Sequence, residues 1–132
     1  MPSPDYAQVL LRKAEQDEFV VTALAPDPDA PDAAIGFHAQ QPVEKMLKAV
    51  LAHHGVRFPW RHDLVELIDL LGENGILFPD ALEDVRRLTP FATDFRYDNL
   101  PGDPDEALDR AWAQDCIRRT RQWVDSVMPK QT

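Results

Sequence analysis

The sequence predicts an all-α bundle. Three observations carry this expectation. Apolar residues recur at steps of three and four in several long segments, no segment shows the alternation of a β-strand, and prolines and glycines gather between the periodic segments. A helix with one apolar stripe must cover it with another helix, and short connections favour antiparallel neighbours.

The first helix is expected from Asp5 to Leu24, where Ala7, Leu10, Leu11, Ala14, Val21 and Leu24 form the stripe. Pro4 suits a first turn, and Ser3 ahead of it can cap free amides. Pro26, Pro28 and Pro31 with Asp27 and Asp29 then require an exposed loop. A second helix runs from Asp32 to His54 through Ile35, Ala39, Val43, Met46, Leu47, Val50 and Leu51, with Gly55 placed to end it. Pro42 inside it predicts a kink near His38 to Pro42 within one helix. After a loop through Phe58, Pro59 and Trp60, Leu64, Leu67, Ile68, Leu70 and Leu71 mark a third helix, ended by Gly72 and Gly75. A fourth starts at Pro79 with Leu82, Val85 and Leu88, and Thr89 and Pro90 break it before a further turn through Phe95. Asp98 to Pro104 is expected to be a loop. The last helix, Asp105 to Val127, places Leu108, Trp112, Cys116, Thr120, Trp123 and Val127 on one face.

At 132 residues the chain fits a single domain over 1–132 with a real core. With 23 acidic and 14 basic side chains its formal charge is -9, which disfavours generic binding to phosphate backbones and leaves room for a local basic site. Cys116, the single cysteine, cannot form an intramolecular disulfide. The opening residues lack a secretory pattern, and no apolar run approaches the roughly 18 residues of a membrane span, so a cytoplasmic location without membrane insertion is expected.

On the second helix Gln41, Glu44, Lys45 and Lys48 lie opposite Ala39, Met46 and Val50, with His38 one turn earlier. Periodicity alone makes this a solvated face with an ordinary Glu44 and Lys48 pair. Asp17 falls close to the apolar face of the first helix, where a carboxylate needs a cationic partner; Lys48 or Arg96 could supply it. His62 and Asp63 suggest a dyad at first sight, but Asp63 sits where a helix-capping carboxylate belongs. Adjacent His53 and His54 do not make a metal site, and neither metal nor cofactor is expected. Arg118, Arg119 and Arg121 make the last helix locally basic, read as surface charge with a phosphate-facing patch as the other option. Cys116 lies on the apolar face as a small buried hydrophobe. Trp112, Trp123, Phe91 and Phe95 offer more apolar surface than a slender bundle hides easily, which points to a homodimer.

Phe37 to Leu51 reads FHAQQPVEKMLKAVL and resembles the signature helix of the HEPN superfamily, named for nucleotide binding in higher eukaryotes and prokaryotes. LLRKAEQDEF with Ala14 and Asp17, the block His62, Asp63, Leu64 with Leu67 and Leu71, and the pair Arg96 and Tyr97 agree in order and spacing. The resemblance implies an up-and-down bundle of four to five helices, usually a homodimer. Such proteins are often encoded beside a minimal nucleotidyltransferase as a toxin and antitoxin pair. In nuclease members an arginine followed four to six residues later by histidine cleaves RNA without metal. Arg96 matches that arginine, but Tyr97 to Asp103 contain no histidine. An arginine that stays protonated cannot both take and give the protons that cleavage requires.

The expected function is therefore a non-cleaving HEPN-like subunit that binds a nucleotide or RNA, a nucleotidyltransferase partner, or both. Its ligand-binding residues would be Asp17, His38, Gln41, Glu44, Lys48 and Arg96. Arg96 and Lys48 would meet phosphate, and Gln41 or Glu44 would orient them. Two alternatives stand beside it. One is a metal-independent endoribonuclease toxin built on Arg96, with His38 or His62 in place of the missing histidine. The other is a structural dimerisation module.

Overall fold

A computed structural model describes residues 4–94 and 108–128 of the chain. These residues form five α-helices and one 3-10 helix, with no strand among them: α1 Pro4–Leu24, α2 Asp32–His53, α3 Leu64–Glu73, the 3-10 helix Asp80–Leu88, α4 Phe91–Asp94 and α5 Arg110–Val127. The short 25–31 connection returns α2 along α1, the most extensive packing in the bundle. Because α2 also packs against α3, the 3-10 helix, α4 and α5, it is the central helix. Its residues from Met46 to Ala52 are buried without a break.

That position corrects the expectation of a solvated face on α2. Glu44 and Lys48 are only 3% and 7% exposed, because neighbouring elements cover the sides that an apolar count on one helix assigns to water. The helix continues through the buried Pro42. A proline in a helix interior costs about 3 kcal/mol, and burial of the apolar residues on both sides of it offsets that cost.

Local signals place the other ends. Asp63 caps α3 by accepting hydrogen bonds from the amides of Val65 and Glu66, at 3.0 and 3.3 Å. Gly55 (φ 71°) and Gly75 (φ 74°) end α2 and α3 in the left-handed conformation that glycine adopts at least cost. Beside them the Val56 and Ile76 amides donate to the carbonyls of Leu51 and Leu71, the bonding pattern of a Schellman stop. The fourth segment begins after Pro79 as expected but is a 3-10 helix. Its buried Leu82, Val85 and Leu88 are spaced by three, which suits three residues per turn.

The start of the last helix differs from the sequence reading. The last helix starts at Arg110, because Asp109 is extended and caps it by accepting from the Trp112 amide. Leu108 precedes the helix, and its amide donates to Asp32. The aromatic residues that suggested a dimer are largely in the core: Phe91 and Trp123 are buried, and the half-buried Trp112 donates its indole N–H to Asp84. Among the described residues, the large apolar side chains that remain in water are instead Phe19, Trp60, Val65 and Leu77. Ser3, Phe95 and the 98–104 segment lie outside the described residues.

Close approach explains one glycine. A Cβ on Gly36 would stand 2.2 Å from the Phe91 ring, so α4 can seat its phenylalanine on α2 only where no side chain intervenes. Arg110 fastens the far end of the bundle. Its guanidinium donates to Asp32 and to the carbonyls of Ala25, Asp27 and Ala30, tying α5 to the α1–α2 connection.

Candidate functional site

Gln40, Glu44 and Lys48 stand one helical turn apart on α2 and form one polar line inside the bundle. Gln40 Nε2 donates to Glu44 Oε1 at 2.9 Å, and Lys48 Nζ donates to Oε2 at 3.0 Å. A third donor comes from outside the helix: Nδ1 of His62, just before α3, lies 2.9 Å from Oε1 and 3.1 Å from Oε2. A carboxylate only accepts, so the geometry places a proton on Nδ1 and orients the imidazole. Gln41 joins through its neighbour, donating to Gln40 Oε1 at 2.7 Å. The Lys48 ammonium also lies 5.6 Å from the centre of the Phe58 ring, which stacks on Tyr6. Buried polar groups are tolerated when each finds partners, and this cluster satisfies Glu44 from three sides.

The predicted site residues therefore divide. Glu44, Lys48 and Gln41 share one network, whereas Asp17 pairs with Lys45. Lys48 is not the partner seen for Asp17, since its ammonium is held by Glu44; the Arg96 alternative lies outside the described residues. His38 is half-buried on α2 with its ring edge-on to Phe37. Sequence reasoning missed Gln40, although its spacing of four from Glu44 and of eight from Lys48 marks the same line. It also missed His62 as a partner of Glu44, which no local spacing reveals.

Arg118, Arg119 and Arg121 of α5 are engaged with acids. Arg118 and Arg119 both reach Asp115, Arg119 also donates to Asp84 at 2.8 and 3.0 Å, and Arg121 grips Glu18 of α1. They knit the bundle. The Arg119 hydrogen bond holds the Asp84 carboxyl below the usual range against the opposing effect of burial, and the Trp112 indole adds to it. Burial first, and Asp84 second, push the Cys116 thiol up to about 12 and keep it inert at neutral pH. Among the described residues no three His, Cys, Asp or Glu side chains gather as metal ligands, and no helix is long and apolar enough to cross a membrane.

His62 is the exposed end of the cluster, and it lines a groove of about 720 Å³ beside the 3-10 helix. A buried polar line on a central helix, holding a surface histidine, is thus the organising feature of the molecule. In a comparison with protein families, the profile of the HEPN domain matches residues 7–128. The chain belongs to the HEPN family. The same comparisons find no matching curated protein and no matching solved structure. The segment that resembles the HEPN signature helix is α2, and in this HEPN domain most of its polar residues face other protein atoms.

Proposed function

We propose that this HEPN chain is a non-cleaving helical subunit that binds a nucleotide or a segment of RNA. It works as a dimer and docks with a nucleotidyltransferase partner. The observation that carries the reading is the Glu44 cluster: a buried carboxylate that fixes His62 at the rim of a groove lined by arginines. Gln41, Glu44 and Lys48 then form the frame behind the ligand, with Asp17 and Lys45 bracing α1 against it. Arg96, beyond the described residues, keeps the phosphate contact that the family resemblance implies, and His38 remains a contact by that resemblance alone. Cleavage is not assigned, because no histidine follows Arg96 at the family's spacing.

A second reading has a specific observation in its favour. Glu44 orients His62 as a carboxylate orients a catalytic imidazole, so His62 could replace the missing histidine in a metal-independent ribonuclease. Purified protein mixed with end-labelled single-stranded RNA in a chelating buffer separates the two. The expected result is a retarded band that is recovered intact on a denaturing gel. Cleavage lost in His62→Ala would establish the nuclease. Neither binding nor cleavage would leave the dimerisation module, whose dimer would still be seen by light scattering.

A further inference from the structure

We propose that the groove beside His62 binds single-stranded RNA, with one base stacked on Trp60 and the adjoining phosphate held by Arg87 and Arg61; this rests on the nucleic-acid reading above. Trp60 is 90% exposed, whereas the other two tryptophans are buried or half-buried against the bundle. An indole left in water beside a concave surface is a stacking platform that lacks its partner, and a stacked base is worth about 1–3 kcal/mol in single-strand binding proteins.

Charge selects the occupant. Three arginines and a histidine line the groove against one carboxylate, and that carboxylate, Asp63, is already occupied in capping α3. This local excess stands out on a chain of net charge -9. Arg87 makes no ion pair among the described residues; its guanidinium lies 5.1 Å from the centre of the Trp112 ring, which steadies it without neutralising it. Arg61 is exposed and bound to Glu66 in a surface pair, a type of contact worth little in water that a phosphate can replace. Arg86 is committed to Glu83 and Asp69 and is left out of the assignment.

Shape selects the form of the ligand. The volume, about 720 Å³, suits one or two nucleotides. A base inside a duplex is already stacked on its neighbours and cannot lie on a surface indole, so a duplex loses the Trp60 contact.

Fluorescence anisotropy of a labelled eight-nucleotide oligoadenylate tests the proposal, alongside the same strand in duplex form and unlabelled AMP as a competitor. Trp60→Ala should weaken binding of the single strand roughly tenfold, in keeping with the loss of one stacked base. Arg87→Ala should weaken it severalfold and lower the dependence of affinity on salt by roughly one counterion. Arg12→Ala, at an exposed position of α1 outside the groove, should change nothing. All three side chains are exposed, so the variants should fold, which circular dichroism verifies. Strong strand binding that survives both Trp60→Ala and Arg87→Ala would overturn the groove while leaving the nucleic-acid reading intact. Duplex bound as tightly as the single strand, or AMP bound more tightly than the strand, would overturn the single-strand assignment. No binding of any probe to the wild-type protein would sink this proposal and the reading beneath it together.

Discussion

Nδ1 of His62 lies 2.9 Å from Oε1 of Glu44, a residue eighteen positions earlier in the chain. The contact joins the loop before α3 to the middle of the central helix, and it gives the buried carboxylate a third donor beside Gln40 and Lys48. Glu44 is therefore a structural hub as well as the support of a surface imidazole.

Replacing Glu44 by alanine should destabilise the protein by about 3 kcal/mol or more, because it leaves the Lys48 ammonium buried with no counter-charge. The double variant Glu44→Leu with Lys48→Met should lose less, since it removes both charges and keeps the volume. Urea denaturation midpoints measure the difference. An unchanged midpoint in Glu44→Ala would mean that the carboxylate is solvated.

Asp17 and Lys45 cross-brace α1 and α2 at a partly buried position. Asp17→Ala should cost more than about 1 kcal/mol, above the usual range for a surface change. Lys45→Ala should cost a similar amount, and the double variant should cost less than the sum of the two. Strict additivity in that cycle would show that the two side chains do not interact.

Gly36→Ala should lower stability by about 1–3 kcal/mol, since the new methyl group would overlap the Phe91 ring and force it off α2. Phe91→Leu in the same chain should recover part of the loss by making room. Thermal unfolding of the single and double variants reads this directly; equal melting temperatures for wild type and Gly36→Ala would show that α4 is not seated there.

Asp84 has its pKa lowered in the folded protein, chiefly by the hydrogen bond from Arg119. A depressed carboxylate adds stability that is fully present above its unfolded value, about pH 4, and that is lost as pH falls through the folded value. The Arg118 and Arg119 pairs shift Asp115 in the same direction. Unfolding free energy should therefore fall below about pH 4, and Asp84→Asn should flatten that fall while lowering stability at neutral pH. A variant whose acid limb matches the wild type would remove Asp84 from the account.

The elements and most of their ends were legible in the sequence because the forces that make them act over three or four residues. Asp63 caps the amides two and three positions ahead, Gly55 and Gly75 supply the left-handed turn, and Leu82, Val85 and Leu88 repeat at the pitch of their helix. Those are contacts between a side chain and its own neighbourhood, and the letters in order suffice to read them. The resemblance of residues 37–51 to a family's helix was legible for the same reason. The interior of the candidate site was not. An apolar stripe on α2 says which side must be covered, but only the packing of α1, α3, α4, α5 and the 3-10 helix decides that the polar side is covered too. Glu44 and Lys48 look like a surface pair at a spacing of four, and tertiary structure turns them into a buried cluster by bringing His62 to one end and Phe58 to the other. The partner of Asp17, 28 residues away, and the carbonyls gathered by Arg110, 80 to 85 residues away, were likewise settled by chain closure. Which charges meet across such separations depends on where whole helices come to rest, and that is fixed by the shape of the assembled core.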